Sequence, residues 1–373
     1  MRNNFLRVYN KVSNLADSLN KIFYLFFTDG LFCTIKYIDY AMAHYDYHEA
    51  KKKVYLYIRF KKISLKQNGH PDFDVNKLSY QDLQDMYYYH RFFGTFLTAL
   101  SYKIALAQKK INNSPTMANF YLGLEAGISS HTLLNLQIKL PKLLLTPKRR
   151  AQHQLYDTIH GGHGDNNIVS KTDAMFSHDL NDKKILIVGP LLKPETFEKK
   201  FKEFDVVISP NYYKKSGIFS NNNTSGMQIS YYNNYRPRER LPEVVDACDN
   251  LQWAVVRSGK ASKKLLENLK GDLKTKVRVS SFPHIFNFTD LMGLQRILVD
   301  LLTFQDSDIH ISNFTFYCSE GSDYSLGYKP QDVAQDVATN LNDLRQHEAI
   351  GNYSFVKFLY ETGLVTCDDG TRS

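Results

Sequence analysis

The 373-residue chain has few cysteines: four in all, and no C-x-x-C pair. Because Cys33, Cys248, Cys318 and Cys367 lie far apart, the sequence argues against a disulfide scaffold and a cysteine zinc site, and a reducing cytoplasm is expected. No run of 18 apolar residues occurs, which argues against a membrane-spanning helix. The apolar stretch at residues 22–27 is too short for the core of a signal peptide.

The common phosphate-binding signatures are also missing. Neither G-x-G-x-x-G nor G-x-x-x-x-G-K-[ST] occurs, which argues against the usual dinucleotide and P-loop modes of binding. His153, His160, His163 and His178 follow none of the usual zinc spacings. The sequence therefore predicts no bound metal.

Positive charge is in excess but unevenly distributed. Residues 1–150 hold 22 basic and 10 acidic side chains, a balance of +12, whereas residues 151–373 have a balance of −3. Such an uneven distribution of charge indicates that the two parts of the chain contact different partners. The basic part suits nucleic acid, an anionic membrane or an acidic polymer, and charge alone does not choose among them.

The basic part has a helical pattern. Residues 80–110 are rich in Leu, Ala, Tyr and Gln with a single glycine, and residues 117–145 continue this character. We therefore predict a mainly α-helical domain over residues 1–150. The small and polar residues that follow predict a loop or linker at 151–182.

Residues 183–373 have the pattern of an α/β domain. Two continuous aliphatic runs, at 185–188 and 205–209, flank a short helical stretch within about 25 residues, which is typical of a βαβ unit. Further strands are predicted at 253–257, 276–279 and 309–316, and further helices at 289–304 and 352–363. The fold predicted for 183–373 is a doubly wound, Rossmann-like domain.

In such sheets ligands bind beyond the carboxyl ends of the strands. The candidate residues are therefore those that follow predicted strands: Gly189-Pro190, residues 209–211, residues 287–290 and residues 319–324. Gly189 would let a phosphate or a ribose approach the backbone, or it is an ordinary turn glycine.

Two pairs of segments resemble motifs of the sialyltransferases of glycosyltransferase family 29. Residues 185–189 (ILIVG), an intervening helix and residues 204–211 (FDVVISPN) resemble the long sialyl-motif. Residues 287–294 (NFTDLMGL), a helix and residues 308–314 (DIHISNF) are similar to the short sialyl-motif. The resemblance implies a sialyltransferase-type variant of the GT-A fold.

A third segment completes the resemblance. His347-Glu348, followed by residues 355–360 (FVKFLY), resembles the C-terminal motif that carries the family's catalytic histidine. The order and spacing of the three motifs agree over residues 183–365. The short motif has Phe288-Thr289-Asp290 where the family has Ser-Thr-Gly, and the C-terminal motif has Asn352 where the family has Glu.

The resemblance implies a role for each matching residue. His347 would be the general base that takes the proton of the acceptor hydroxyl, a task for which a pKa near neutral is suited. The residues implied for the donor nucleotide are Gly189, Pro190, Asn211, Asn287, Phe288, Thr289 and Asp290. Asp290 fits a helix N-cap equally well.

The phosphate and the acceptor require further groups. In the absence of a metal, backbone N–H groups, Lys329 or tyrosine hydroxyls would meet the charge of the leaving phosphate. The candidates are Ser319, Tyr324, Tyr328, Lys329 and Tyr212. The tyrosine-rich segments 212–215 and 231–236 are interpreted either as loops of the acceptor cleft or as surface loops.

The expected function is that of a metal-independent, inverting glycosyltransferase that takes a nucleotide-sugar donor, with CMP-linked sugars favoured, for a bacterial capsule or surface polysaccharide. Its acceptor would be a glycan or a lipid-linked glycan. It would be cytoplasmic, and residues 1–150 would associate with the inner face of the cell membrane.

Two alternatives remain: a phosphoribosyl or other furanosyl donor on the same fold, and a non-catalytic protein that binds nucleic acid or another polymer. The absence of a nucleic-acid-binding motif in 1–150 disfavours nucleic acid.

Overall fold

The computed structural model divides into two units, residues 1–110 and 111–373. The division falls before the boundary predicted at residue 150. The structure describes residues 77–92, 96–138, 146–162, 170–189, 201–214, 219, 226–233, 240–269, 277–280, 285–288, 291–302, 304, 308–314 and 349–368.

The described part of the first unit is mainly helical. It contains α1 (Tyr80–Phe92) and the part of α2 (Phe96–Asn113) up to Lys110. The Lys103 side chain is fully buried, with its Nζ 5.6 Å from the centre of the Tyr87 ring. At least one basic residue of this unit, Lys103, therefore lies in the protein interior and not on the surface.

The second unit contains a seven-stranded parallel sheet, so an α/β fold is confirmed. The strand order is β5-β4-β3-β2-β1-β6-β7, and every neighbouring pair is parallel. The strands are β1 (Lys184–Val188), β2 (Val206–Pro210), β3 (Met227–Tyr232), β4 (Trp253–Arg257), β5 (Val277–Ser280), β6 (Asp308–Ser312) and β7 (Thr366–Cys367).

Helices cover both faces of this sheet, which explains why its central strands are continuously apolar. Ile185 and Ile187 pack into a cluster on one face, and Leu186 and Val188 pack into a second cluster on the other. The helices among the described residues of the second unit are α3 (Met117–Glu125), α4 (Ser130–Leu134), α5 (Pro147–Ile159), α6 (Lys171–Leu180), α7 (Leu241–Cys248), α8 (Lys260–Asn268), α9 (Gly293–Leu302) and α10 (Ala349–Glu361).

The strand order reverses at β1. Strands β2 to β5 follow one another outward on one side of β1, and the helices between them, α7 and α8, pack on the second face. Strands β6 and β7 lie on the other side of β1, and the helices before them, α9 and α10, pack on the first face. This change of face is what right-handed crossovers require when the direction of winding changes. The reversal creates a topological switch point between β1 and β6.

The linker predicted at 151–182 is wrong for its described residues. The helices α5 and α6 occupy most of them, and Thr146 and Ser170 act as their N-caps. Leu155 and Ile159 of α5, spaced four residues apart, are buried in the cluster on the first face of the sheet. This burial stabilises a helix whose other face is strongly polar.

A buried ion-pair network joins two strands to two helices on the first face. Arg278 of β5 donates from Nε to Asp173 of α6 at 2.7 Å and from Nη1 to Asp300 of α9 at 2.5 Å. The Tyr231 hydroxyl of β3 and the Ser280 hydroxyl of β5 donate to the same Asp300 carboxylate, at 2.8 Å and 3.1 Å.

In the part of the chain that the structure describes, no helix combines the length and the apolar character needed to cross a membrane.

Candidate functional site

The carboxyl ends of β1 and β6 meet at the switch point. The backbone N–H of Gly189, which follows β1, donates to the Ser312 carbonyl at the end of β6 at 2.8 Å. A Cβ atom at Gly189 would lie 1.8 Å from the carbonyl oxygen of Asn313, so no other residue fits there without a shift of the backbone. The close approach that requires a glycine at position 189 is thus made by the backbone of Asn313.

Asn313 follows β6 in a left-handed conformation, with φ 60°. Its side-chain nitrogen Nδ2 is buried and makes no hydrogen bond, although the residue as a whole is partly exposed. Buried donors are nearly always paired in native proteins, so this nitrogen is an exception that needs an explanation.

Asn211 lies at the same edge of the sheet, after β2. Its φ is 53°, its N–H donates to the Tyr231 carbonyl at 2.8 Å, and its Oδ1 accepts from the N–H of Asn233 at 3.2 Å. The structure therefore places Gly189 and Asn211, both predicted donor residues, after adjacent strands at one edge. These hydrogen bonds of Asn211 hold the end of β2 to the end of β3.

The turn predicted to hold the base or the ribose is anchored to two helices. The Glu125 carboxylate of α3 is fully buried and accepts from the N–H groups of Asn287 at 3.0 Å and Phe288 at 2.9 Å. Lys148 of α5 donates to the Phe286 carbonyl at 2.7 Å. Burial lowers the pKa of Lys148, and the nearby Glu125 partly opposes that shift.

The Asn287 side chain also makes hydrogen bonds to α3 and α5. Its Nδ2 donates to the Ala118 carbonyl at 3.1 Å, and its Oδ1 accepts from Lys148 at 3.3 Å. The backbone donors of this turn and the Asn287 amide thus serve the packing of α3 and α5 on the turn. This role was missed because the contacts join residues more than 130 positions apart.

We expect Glu125→Gln to lower the free energy of unfolding by about 1–3 kcal/mol. One of the two N–H groups, of Asn287 or Phe288, would then face an amide NH₂ in a buried place. Urea unfolding measures the loss, and Glu243→Gln, at an exposed position of α7, should change stability by less than about 0.5 kcal/mol. An unchanged midpoint for Glu125→Gln would contradict the anchoring role.

Neither interpretation of the tyrosine-rich segments, as loops of the acceptor cleft or as surface loops, fits the described tyrosines, which are buried. Tyr212 is 2% exposed, and its ring lies 4.5 Å from that of Phe219 in the cluster on the second face. Tyr231 and Tyr232 belong to β3, a strand that the sequence analysis missed. Burial raises the pKa of all three hydroxyls. Their aromatic rings are used to build the core.

Asn352, which stands where the family has Glu, also has a structural role. It is fully buried, and its Oδ1 accepts from the N–H of Met292 at 3.0 Å, just before α9 begins. Its carbonyl oxygen accepts from Gln295 at 3.0 Å. Asn352 therefore ties α10 to the start of α9.

Several predicted site residues lie outside the described residues, and the structure does not place them. These are Pro190, Thr289, Asp290, Ser319, Tyr324, Tyr328, Lys329 and His347.

A polar cluster on β6 and β7 was not predicted. The Asp368 carboxylate accepts from the Ser312 hydroxyl and lies 2.9 Å from Nε2 of His310. The other ring nitrogen of His310 lies 2.8 Å from the hydroxyl of Thr366. The sequence of β6, DIHIS, alternates polar and apolar residues, unlike the continuous apolar run of β1. This alternation could have indicated a polar cluster on the strand.

Among the described residues, no group of three or more His, Cys, Asp or Glu side chains is placed to hold a metal ion. A D-x-D tripeptide, a pair of carboxylates of the kind that can hold a metal ion, occurs at Asp306-Ser307-Asp308 and ends at the first residue of β6. Asp308 therefore lies at the amino edge of the sheet, opposite the switch point.

Comparisons of the chain with protein-family models, with curated proteins and with solved structures find no match.

Proposed function

We propose that the second unit is a metal-independent, inverting glycosyltransferase that binds a nucleotide-activated sugar at the carboxyl edge of its sheet, beside β1 and β6. The observation that carries the proposal is the reversal of the parallel strand order at β1. Ligands of open α/β sheets bind in the crevice that such a reversal creates. Gly189, Asn211 and Asn313 follow three adjacent strands at this edge.

The proposed chemistry is a displacement at the anomeric carbon. The acceptor hydroxyl attacks this carbon, His347 takes the hydroxyl proton, and the nucleotide leaves with the bonding electrons. The resemblance to sialyltransferases supports the role of His347 and favours a CMP-linked donor. Neutral hydrogen-bond donors at the edge of the sheet would stabilise the charge on the leaving phosphate.

The second unit would be of the sialyltransferase type, a variant of the GT-A fold, preceded by a mainly helical, basic domain. The acceptor would be a bacterial capsule or surface glycan. The basic residues of 1–150 would hold the anionic inner face of the membrane or an acidic glycan.

Thermal unfolding with added nucleotides tests the proposal. The full chain is heated with CMP, UMP or GMP at several concentrations, each with and without EDTA. Binding to the native state alone raises the midpoint as the ligand concentration rises, because the added stability follows RT ln(1 + [L]/Kd). We expect CMP to give the largest shift, and EDTA to leave it unchanged.

The same experiment separates the alternatives. A shift with 5-phosphoribosyl diphosphate but with none of the three nucleotides would favour a furanosyl donor. No shift with any of these compounds would overturn the proposed nucleotide site. A shift that EDTA abolishes would contradict the metal-independent mechanism.

A further inference from the structure

We propose that the side-chain amide of Asn313 binds the phosphate group of the nucleotide through Nδ2. The inference rests on the proposed function and deepens it, because it names the residue and the atom that recognise one part of the ligand. Asn313 lies in the segment 308–314 that resembles the short sialyl-motif, but the resemblance gives it no role, so the assignment comes from the geometry.

The first argument is the position of the residue. Asn313 follows β6 directly, and its backbone lies against Gly189, the first residue after β1. In dinucleotide-binding folds of this type the phosphate approaches the backbone at the turn after the first strand, and ligands of other open α/β sheets bind at the same switch point. Asn313 therefore lies on the β6 side of the place where a phosphate is expected.

The second argument is the unpaired donor. Nδ2 of Asn313 is buried and has no acceptor, in contrast to the paired backbone groups of Gly189 and Asn211 at the same edge. A buried polar group without a partner is costly for the protein. An amide N–H needs an acceptor, and phosphate oxygens are strong acceptors. A ligand that supplies such an oxygen would remove the cost.

The third argument is the restraint on the side chain. The left-handed φ of 60° is uncommon outside glycine, and the carbonyl group of the same residue lies against Gly189. Asparagine tolerates this backbone better than most residues, so the position can carry an amide where a larger side chain would be strained. Because Nδ2 is already buried, the amide loses little freedom when a ligand binds.

Two variants test the inference. Asn313→Gly keeps the left-handed backbone and removes the amide, whereas Asn313→Asp keeps the shape but replaces the donor with a carboxylate. The matched control is Asp182→Gly, since Asp182 also has a left-handed φ, of 54°, but lies in the exposed turn before β1, at the amino edge. Calorimetry of the full chain measures the affinity for the mononucleotide that gives the largest thermal shift, and for its nucleoside.

We expect Asn313→Gly to weaken mononucleotide binding about tenfold, equivalent to about 1.4 kcal/mol, and to leave nucleoside binding unchanged. Asn313→Asp should weaken mononucleotide binding further, because a carboxylate repels a phosphate. Asp182→Gly should bind both ligands as the wild type does. In the absence of ligand, Asn313→Gly should unfold at or above the wild-type temperature, since an unpaired donor has been removed.

Three results would overturn the inference. Equal affinities of Asn313→Gly and the wild type for the mononucleotide would show that the amide does not bind it. An equal loss for the mononucleotide and the nucleoside would show that the amide does not act on the phosphate. If the wild type binds no nucleotide, the proposed function fails and the inference fails with it, whereas the first two results leave the proposed function intact.

Discussion

Replacing Asp300 with alanine is expected to lower the free energy of unfolding of the second unit by about 3–5 kcal/mol, the cost of removing one partner from a buried ion pair. The Asp300 carboxylate accepts from Nη1 of Arg278 at 2.5 Å and from Nη2 at 3.1 Å, and both side chains are less than 10% exposed. Without Asp300, the Arg278 guanidinium would keep Asp173 as a carboxylate partner.

The surroundings of Arg278 make this loss large. Its guanidinium carbon lies 4.7 Å from the centre of the Phe176 ring and 4.4 Å from that of Phe304, so water has little access. Asp300 and Asp173 stabilise the charged form, and the pKa of Arg278 is raised despite the opposing effect of burial. The arginine would thus stay charged in an apolar place.

Urea unfolding followed by circular dichroism measures the effect. The matched control is Asp246→Ala, because Asp246 pairs with Lys214 at 2.6 Å but is 57% exposed. Exposed pairs contribute about 0–1 kcal/mol, so the control should lose little. Should Asp300→Ala be too unstable to purify, Ser280→Ala removes the 3.1 Å hydrogen bond to the same carboxylate. Equal midpoints for the Asp300 and Asp246 variants would contradict the importance of the buried network.

Replacing His347 with alanine is expected to lower the rate of sugar transfer by about 100-fold or more. The acceptor hydroxyl is a poor nucleophile while it keeps its proton, and no proposed residue other than His347 takes that proton. The loss should fall on kcat rather than on nucleotide binding, because the base acts on the acceptor in the transition state. Transfer from a CMP-linked sugar, with nucleotide affinity measured in parallel, gives both quantities.

His178→Ala is the control for this variant. His178 is an exposed histidine of α6, and its loss should leave the transfer rate unchanged. A His347→Ala protein that transfers sugar at the wild-type rate would remove His347 from the mechanism. A protein that has lost nucleotide affinity as well would point to damage of the site instead of loss of a base.

The strand positions were the most predictable part of the fold. The runs at 185–188 and 253–257 coincide with β1 and β4 to within a residue, because strands buried on both faces must be continuously apolar. Strand β3 was missed because its sequence, MQISYY, begins with polar and flexible residues and ends with tyrosines. Its burial comes from its central position between β2 and β4 and from the clusters that cover both faces of the sheet, which no local pattern shows.

Part of the candidate site could be predicted from the sequence, because some of its residues directly follow the apolar strands. Gly189 and Asn211 were found because they follow aliphatic runs, and the structure places both at the carboxyl edge. Asn287 and Phe288 were assigned to a ligand, but Glu125 binds their backbone N–H groups. Asn313 was not selected, since nothing in its sequence neighbourhood shows that its amide is buried without a partner.

The sequence by itself determined that residues 183–373 contain aliphatic strands alternating with helices, because burial between two helical layers leaves a local apolar signature. Only the tertiary structure decided which strands are neighbours, where their order reverses and which polar groups are already paired. Those properties depend on contacts between distant parts of the chain: Glu125 reaches residue 288, Asp173 reaches Arg278, and Gly189 meets Asn313. A hydrogen-bond donor can bind a ligand only when no contact within the protein uses it. The unpaired Nδ2 of Asn313 could therefore be recognised only in the folded structure.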